Sequence, residues 1–245
     1  MQGEVMAGKT KRNTAKAETR ILLVDSHPIT RKGLSLLIER IPDMTVCGEA
    51  ESAKDALEAI EELKPDLAVV EISLRDSSGI DLVADLRARY PSLIVLVLSM
   101  QNETLYAERV LRAGAKGYVL KDEPVEQVLV AIRRVLAGGV YLSETLASGL
   151  LAGMVGDSSP SGSLSIERLS NRELQVFELI GQGLGTREIA ERLDLSFKTI
   201  ESHRENIKKK LHLQDANHLL HEAFLWRECR LRHRSPGSVE TTRPG

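Results

Sequence analysis

Four polar residues each follow a short apolar run in the first half of the chain, where they could act together. They are Asp25, Glu71, Ser99 and Lys121. The run before Glu71, from Leu67 to Val70, is continuous and ends in two valines, which is typical of a strand buried on both faces of a parallel sheet. Ligands and reacting groups gather at the carboxyl edge of such sheets. The sequence therefore predicts one pocket at that edge, with Glu71 facing into it.

The elements that must position these residues alternate between strands and helices from about residue 20 to 142. The predicted strands are Ile21–Val24, Met44–Cys47, Leu67–Val70, Leu93–Leu98 and Gly117–Leu120. After each of them, apolar residues recur at helical spacing. Five strands alternating with five helices predict a doubly wound α/β fold with a five-stranded parallel sheet and right-handed crossovers.

The bulk properties of the chain limit its class. A length of 245 residues suits two modest domains, and the formal charge of -2 says nothing about nucleic acid. The two cysteines, Cys47 and Cys229, lie far apart without metal-like spacing, which favours a reducing cytoplasm. The first 19 residues are polar and basic and lack a secretory core, and no apolar stretch reaches the length of a membrane span. We expect a cytoplasmic protein without membrane contact.

A second folding unit follows a linker rich in glycine and serine. Ser170 and Glu173 have the spacing of a capping box at the start of a helix. A second short helix, a turn at Leu195-Ser196 and a third helix from about Phe197 to Leu211 make a helix-turn-helix arrangement. Five basic side chains against two acidic ones give the third helix a net charge of +3. The basic residues are Lys198, Arg204, Lys208, Lys209 and Lys210, and the acidic ones are Glu201 and Glu205.

The first domain resembles the receiver domain of bacterial two-component response regulators, in the NarL/FixJ branch. The matching stretches are Leu22–Pro28, Pro65–Leu67 and Ala113–Asp122. The resemblance implies a flavodoxin-like fold in which an aspartate after the third strand accepts a phosphoryl group and an acidic pair after the first strand holds Mg²⁺. It also implies that Ser99 and Lys121 contact the phosphoryl oxygens. Tyr118 stands where the family has an aromatic that switches rotamer, although a plain packing role is equally compatible with its short strand.

Two positions depart from the family pattern. Glu71 stands at the phosphoacceptor position, and the acidic pair has become Asp25-Ser26. Mg²⁺ needs several oxygen ligands in tight octahedral geometry, so the loss of one carboxylate weakens or abolishes its site. Glu71 is one methylene longer than aspartate, and an error of about 1 Å in the attacking oxygen costs on the order of 100-fold in rate. We expect no metal cofactor and no ordinary phosphorylation.

Three interpretations of this pocket remain open. Glu71 permanently imitates the phosphorylated aspartate through Ser99 and Lys121, or it only satisfies Lys121 as an ion pair in a relic pocket, or the pocket binds a small molecule or partner protein. The nearby Asp76 is assigned to a solvated loop rather than to an alternative acceptor.

The second domain resembles the LuxR-type DNA-binding domain. The matching motifs are Leu169–Glu173, Gly183, Glu188–Ala190, Thr199–His203 and Lys210-Leu211. The resemblance implies that the third helix enters the major groove. Residues expected at base edges are Glu201, Ser202 and Glu205, and residues expected near phosphates are Lys198, Thr199, Arg204, Lys208 and Lys209. A glutamate in the groove can accept from cytosine N4, so we expect cytosines in the site. His203 falls on the apolar face and is expected to pack.

Together these features predict a transcription regulator with a disordered basic tail (1–19), an atypical receiver (20–142), a linker (143–164), a LuxR-type helix-turn-helix domain (165–228) and a disordered tail (229–245). The expected partners are double-stranded DNA, a second copy of the chain, and a histidine kinase or other regulatory protein. No catalytic residues are assigned and an enzyme is disfavoured. Two alternatives remain, namely a conventionally phosphorylated regulator with an unusual acceptor and a protein-binding adaptor that no longer binds DNA.

Overall fold

A computed structural model describes residues 18–100, 103–144, 146–148 and 166–233. In the first domain five parallel strands form one sheet in the order β2-β1-β3-β4-β5. The strands are β1 (Thr19–Val24), β2 (Met44–Ala50), β3 (Leu67–Val70), β4 (Ile94–Ser99) and β5 (Gly117–Leu120). The helices are α1 (Pro28–Ile38), α2 (Ala53–Leu63), α3 (Gly79–Arg89), α4 (Glu103–Ala113) and α5 (Val125–Leu136). The predicted doubly wound fold is confirmed.

Both faces of the sheet are buried, which explains why its strands are continuously apolar. Alternate side chains of a strand point to opposite faces. Leu22, Val24, Ala68 and Val70 pack in one core cluster, whereas Ile21, Leu23, Leu67 and Val69 pack in the other. The central strands β1 and β3 are neighbours, so the residues that follow them are brought side by side at the carboxyl edge.

The second domain is helical. A 3₁₀ helix (Ile166–Arg168) precedes α6 (Asn171–Gly181), α7 (Thr186–Leu193), α8 (Phe197–Leu211) and α9 (Ala216–His233). Ser170 and Glu173 form the predicted capping box of α6, and Ser196 caps α8 through the amide of Thr199. The turn between α7 and α8 places Asp194 in the left-handed region, with φ 52°. This arrangement is the predicted helix-turn-helix.

The domain boundaries themselves stay predictions. Most of the predicted linker and most of both predicted tails lie outside the described residues. The last helix continues to His233, five residues past the predicted end of the domain, because the chain contains no glycine or proline between Ala216 and Pro236.

Candidate functional site

Glu71 lies at the carboxyl end of β3 and is buried among polar partners. Its Oε1 accepts a hydrogen bond from the Ser99 hydroxyl at 2.7 Å and one from the Ser73 amide at 3.1 Å. Its Oε2 lies 2.5 Å from the Lys121 ammonium nitrogen. The parallel strands bring these groups to one edge of the sheet. The Glu71 amide, for example, donates to the carbonyl of Val24 at the end of β1. Both carboxylate oxygens therefore have partners, among them the serine and lysine that the sequence predicted to lie beside Glu71.

Lys121 also contacts the second buried carboxylate. Its Nζ lies 2.5 Å from Asp25 Oδ2 as well as 2.5 Å from Glu71 Oε2. The other oxygen of Asp25 accepts from the His27 amide at 2.8 Å and lies 3.1 Å from His27 Nδ1. One ammonium group thus holds two carboxylates together, which leaves a formal charge of -1 on these three residues.

Two other predicted pocket residues occupy different places. The Ser26 hydroxyl donates to the Ser73 carbonyl at 3.2 Å, so it ties the loop after β1 to the loop after β3 instead of pointing at Glu71. Tyr118 is completely buried within the core on β5. Its ring lies near enough to the buried Tyr106 of α4 to help raise the pKa of that phenol, behind the larger effects of burial and of Glu178.

The carboxylates of Asp25 and Glu71, which are oxygen groups of the kind that Mg²⁺ takes as ligands, are bonded here to a cation of the chain itself. Lys121 lies between the two carboxylates, and its ammonium group contacts one oxygen of each. The neighbouring position that carries an acid in the family is Ser26. Among the described residues no cluster of three or more His, Cys, Asp or Glu side chains could hold a metal ion.

The sequence missed a structural role for Asp76. Its carboxylate accepts from the amides of Ala53 at 2.9 Å and Lys54 at 3.1 Å, at the start of α2. A carboxylate there satisfies unpaired amides and favours the helix dipole. Because the contact spans more than twenty residues, no local pattern could reveal it. Asp76 is therefore an exposed loop residue, as predicted, whose carboxylate also caps the first amides of α2.

The helix α8 presents most of the predicted DNA-contacting residues to solvent. Lys198, Glu201, Ser202, Glu205 and Lys209 are exposed, whereas Thr199, Arg204 and Lys208 are half-buried. Several of them already have partners within the chain. The Thr199 hydroxyl lies 2.7 Å from Ser196 Oγ, the Ser202 hydroxyl donates to the Lys198 carbonyl at 3.0 Å, and Lys208 pairs with Glu205 at 2.7 Å.

The opposite side of α8 packs on α6. Ile200, Ile207 and Leu211 are buried there, and Lys210 contacts the buried Glu173 carboxylate at 2.6 Å. His203 is half-buried, and its pKa is lowered by burial and then by the positive charge of Arg172. Burial lowers the pKa of Arg204 as well. This division into a packed side and an exposed charged side is what a groove-binding helix requires.

Comparison with known proteins agrees with both halves of this arrangement. The response regulator receiver domain family matches residues 21–133, and the luxR family of bacterial regulatory proteins matches residues 167–223. The oxygen regulatory protein NreC of Staphylococcus aureus is 35% identical over 209 residues, which cover 84% of this chain and 96% of the relative. The chain is a response regulator of the NarL/FixJ type.

Solved NarL/FixJ-type relatives share the fold as well. RcsB from Salmonella enterica serovar Typhimurium, bound to the promoter rprA in the presence of the phosphomimetic BeF3-, is 26% identical with a TM-score of 0.55. The match covers 84% of this chain and 98% of RcsB. A LuxR-family response regulator from Aurantimonas is 33% identical with a TM-score of 0.54, covering 57% of this chain and all of that one.

As a NarL/FixJ-type response regulator, the chain is a DNA-binding regulator of two-component transcription control and not an enzyme. None of the helices in the described residues combines the length with the hydrophobicity that a membrane span needs.

Proposed function

We propose that this response regulator binds DNA under the control of a receiver held in one state by Glu71, without Mg²⁺-dependent phosphorylation. The observation that carries this proposal is the engagement of one carboxylate by Ser99 at 2.7 Å and by Lys121 at 2.5 Å. In the family the serine and lysine at these positions contact the phosphoryl oxygens. Here they contact a side chain that is always present. The imitation is partial, because glutamate carries one negative charge where a phosphoryl group carries nearly two.

Two features argue against ordinary phosphoryl transfer. A metal ion neutralises the charge that develops on the transferred group and aligns it with the attacking oxygen. Lys121 lies between Asp25 and Glu71, and Ser26 contributes no charge, so Mg²⁺ binding is weakened or lost. Both oxygens of Glu71 also have partners within the chain, which compete with an incoming phosphodonor.

The DNA-bound form is proposed to be a homodimer. One RcsB structure contains two RcsB dimers bound to two parallel DNAs. A two-fold dimer of this chain would place its two α8 helices on half-sites about one helical turn apart. Exposed Glu201, Ser202 and Glu205 would then face base edges, with cytosines favoured opposite the glutamates. Lys198, Thr199, Arg204, Lys208 and Lys209 would approach the phosphates, and a histidine kinase is not needed for binding.

The first test of this proposal is enrichment of fragmented genomic DNA by the purified full-length protein at one moderate salt concentration. Wild type is compared with Glu71→Gln, which keeps the shape and removes the charge. The matched control is Glu58→Gln, because Glu58 is an exposed carboxylate on α2 of the same domain. We expect wild type and the control to enrich the same discrete sites and Glu71→Gln to lose them.

Equal enrichment by all three proteins would mean that Glu71 is only a local ion pair in a relic pocket. Enrichment by none of them, although each is folded, would favour the protein-binding adaptor. Incubation with a small-molecule phosphodonor and Mg²⁺ tests the remaining alternative. Stable phosphate incorporation that depends on Glu71 would show a conventional regulator with an unusual acceptor.

A further inference from the structure

One surface of the receiver is buried against the beginning of the DNA-binding domain. The receiver contributes Ile72, from the loop after β3, Asp81, from α3, and Tyr106 and Arg109, from α4. We call these four residues and their partners in residues 166–178 the interdomain clamp. Its contacts are hydrogen bonds between side chains and from side chains to main chain. The bond made by Gln175 is buried, those made by Tyr106 and Arg109 are partly buried, and the one that reaches Asp81 is exposed.

Arg109 makes the most contacts in the clamp. Its guanidinium donates to the Ile166 carbonyl at 3.1 Å, the Leu169 carbonyl at 2.9 Å and Asn171 Oδ1 at 3.0 Å. Asn171 in turn donates to Asp81 Oδ1 at 2.8 Å. Because a guanidinium is a planar fork of donors, three acceptors around it fix both position and orientation. Arg109 therefore fixes how the start of α6 is oriented against the receiver.

Tyr106 and Gln175 extend the clamp along α6. The fully buried Tyr106 donates its hydroxyl hydrogen to Glu178 Oε2 at 3.0 Å. Burial, and then the negative charge of Glu178, raise the pKa of Tyr106 well above its usual value, so the phenol stays a donor. Gln175, which is also buried, donates to the Ile72 carbonyl at 3.3 Å. A buried polar group that loses its partner is left without a hydrogen bond, so these bonds favour one domain orientation.

The clamp is directly continuous with the Glu71 pocket. Ile72 follows Glu71 in the chain, and its carbonyl accepts from the Gly79 amide at 2.7 Å as well as from Gln175. The segment folds back so closely that a Cβ on Gly79 would lie 2.0 Å from the Glu71 carbonyl oxygen. The Ser73 amide meanwhile donates to the Glu71 side chain. Because the Ile72 carbonyl and the Ser73 amide belong to one peptide group, the Glu71 carboxylate and α6 hydrogen-bond to the same peptide.

The clamp leaves parts of α8 and α9 exposed, and these exposed surfaces indicate whether the contact favours or prevents DNA binding. The DNA-facing residues of α8 remain exposed, including Glu201, Ser202 and Lys209. On α9 the apolar side chains of Leu220 and Phe224 are also about half exposed, at 46% and 49%. A receiver that masked the DNA-binding domain would bury such surfaces. This receiver instead contacts the 3₁₀ helix and α6, on another side of the domain.

We propose that the interdomain clamp is an activating contact, which holds α6 so that α8 is presented to DNA and which transmits the position of Glu71 to that helix. The part about Glu71 rests on the proposed function, whereas the activating sign of the contact does not. An autoinhibitory contact would have the opposite effect, since breaking it would strengthen DNA binding.

The deciding experiment measures the affinity of full-length Arg109→Ala for a DNA fragment that the wild type enriches, at fixed salt. The matched control is Arg112→Ala. Arg112 lies one turn later on α4, is 79% exposed and pairs only with Glu108 among the bonds described for it. The control removes the same charge without touching the clamp. We expect Arg109→Ala to bind on the order of tenfold more weakly, as is typical of coupling between sites, and the control to match wild type.

Unchanged or tighter binding by Arg109→Ala would overturn the proposal. If Arg109→Ala does not fold, Tyr106→Phe takes its place, because it keeps the ring and removes one oxygen. Weaker binding by Tyr106→Phe, together with faster hydrogen exchange of the α6 amides, supports the clamp, and wild-type affinity contradicts it.

The double variant Glu71→Gln/Arg109→Ala tests the link to the pocket. If Glu71 acts through the clamp, the double variant binds no more weakly than the weaker of the single variants. If the two losses multiply, the pocket and the clamp act independently and the link is wrong. Wild-type affinity of Glu71→Gln beside a weakened Arg109→Ala would refute the proposed function and leave the clamp standing.

Discussion

The receiver pocket and the exposed side of α8 use the same kinds of residue in opposite surroundings. The side chains of Glu71 and Lys121 are 3% and 8% exposed and lie 2.5 Å apart. On α8 the side chains of Glu205 and Lys208 are 59% and 19% exposed and lie 2.7 Å apart. The bond lengths are similar, so burial rather than geometry separates the two pairs. In the pocket the charges fix the protein's own structure, whereas on α8 they are available to a ligand.

The physical difference lies in what replaces a lost partner. An exposed charge that loses its partner is solvated by water, and such pairs contribute about 0–1 kcal/mol. A buried charge that loses its partner has no such replacement, and breaking a buried pair typically costs about 3–5 kcal/mol. Single substitutions in the two regions should therefore have very different effects on folding.

The largest effect is expected for Lys121→Ala. The substitution leaves both Asp25 and Glu71 buried without their shared cation. We expect the free energy of unfolding to fall by about 3–5 kcal/mol, as for other broken buried pairs. Urea unfolding of the full chain measures it, with Lys209→Ala as the control because Lys209 is exposed on α8. Equal stability of the two variants would contradict the distinction between the regions.

The sequence was sufficient to predict that four of the proposed pocket residues meet at one edge, but not how they bond. Asp25, Glu71, Ser99 and Lys121 each follow an apolar run, and parallel strands bring their carboxyl ends to one edge whatever the details. That Lys121 bridges both carboxylates depends on side-chain rotamers, which strand periodicity does not specify.

Contacts between distant segments escaped prediction for a related reason. Arg109 lies among helical residues with no local sign that residues 166–171 provide its acceptors. Ser26 was assigned to the pocket from the family pattern, yet its hydroxyl donates to the Ser73 carbonyl. The exposure of side chains on α8 was easier to predict, since exposure on one helix follows a 3.6-residue period. Which of them contact DNA was implied only by the family resemblance and stays a prediction.

An intermediate effect is expected for Glu173, which is buried at α6 but bonded to the partly exposed Lys210. Burial alone would raise the pKa of Glu173. Hydrogen bonds with Lys210 and with the backbone and side chain of Ser170 outweigh burial, so the pKa of Glu173 is lowered overall. A carboxyl whose pKa is lowered on folding stabilises the protein above its unfolded pKa, and this stabilisation is lost as the pH falls. We therefore expect wild type to lose stability below about pH 4.5, near the usual pKa of glutamate.

Glu173→Gln tests this pH dependence because glutamine keeps the acceptor of the capping box and removes the charge. Its unfolding free energy should depend less steeply on pH than that of wild type between about pH 5 and 3, the range in which glutamate titrates. Glu191→Gln, at an exposed position on α7, serves as the control. Parallel pH profiles for wild type and Glu173→Gln would show that this pair behaves like an exposed one.

The smallest effect on folding, and a distinct effect on DNA, is expected for the neighbouring lysines of α8. Lys209 is exposed, whereas Lys208 is held at 2.7 Å by Glu205. Each lysine that neutralises a phosphate releases counterions. It thereby adds about 0.9 to the magnitude of the negative slope of log affinity against log salt concentration, and we call this magnitude the slope. Lys209→Ala should therefore lower the slope by about one, the effect of losing one phosphate contact.

Lys208→Ala should lower that slope by less than Lys209→Ala, because Lys208 must give up Glu205 before it can neutralise a phosphate. The double variant Glu205→Gln/Lys208→Ala, compared with Glu205→Gln alone, removes this difference: with the carboxylate gone, loss of Lys208 should lower the slope as much as loss of Lys209 does. Titrations of one DNA fragment at several salt concentrations measure the slope for wild type and for the four variants. Equal slopes for the two single lysine variants would contradict this expectation. They would mean that the ion pair between Lys208 and Glu205 opens on DNA at no measurable cost.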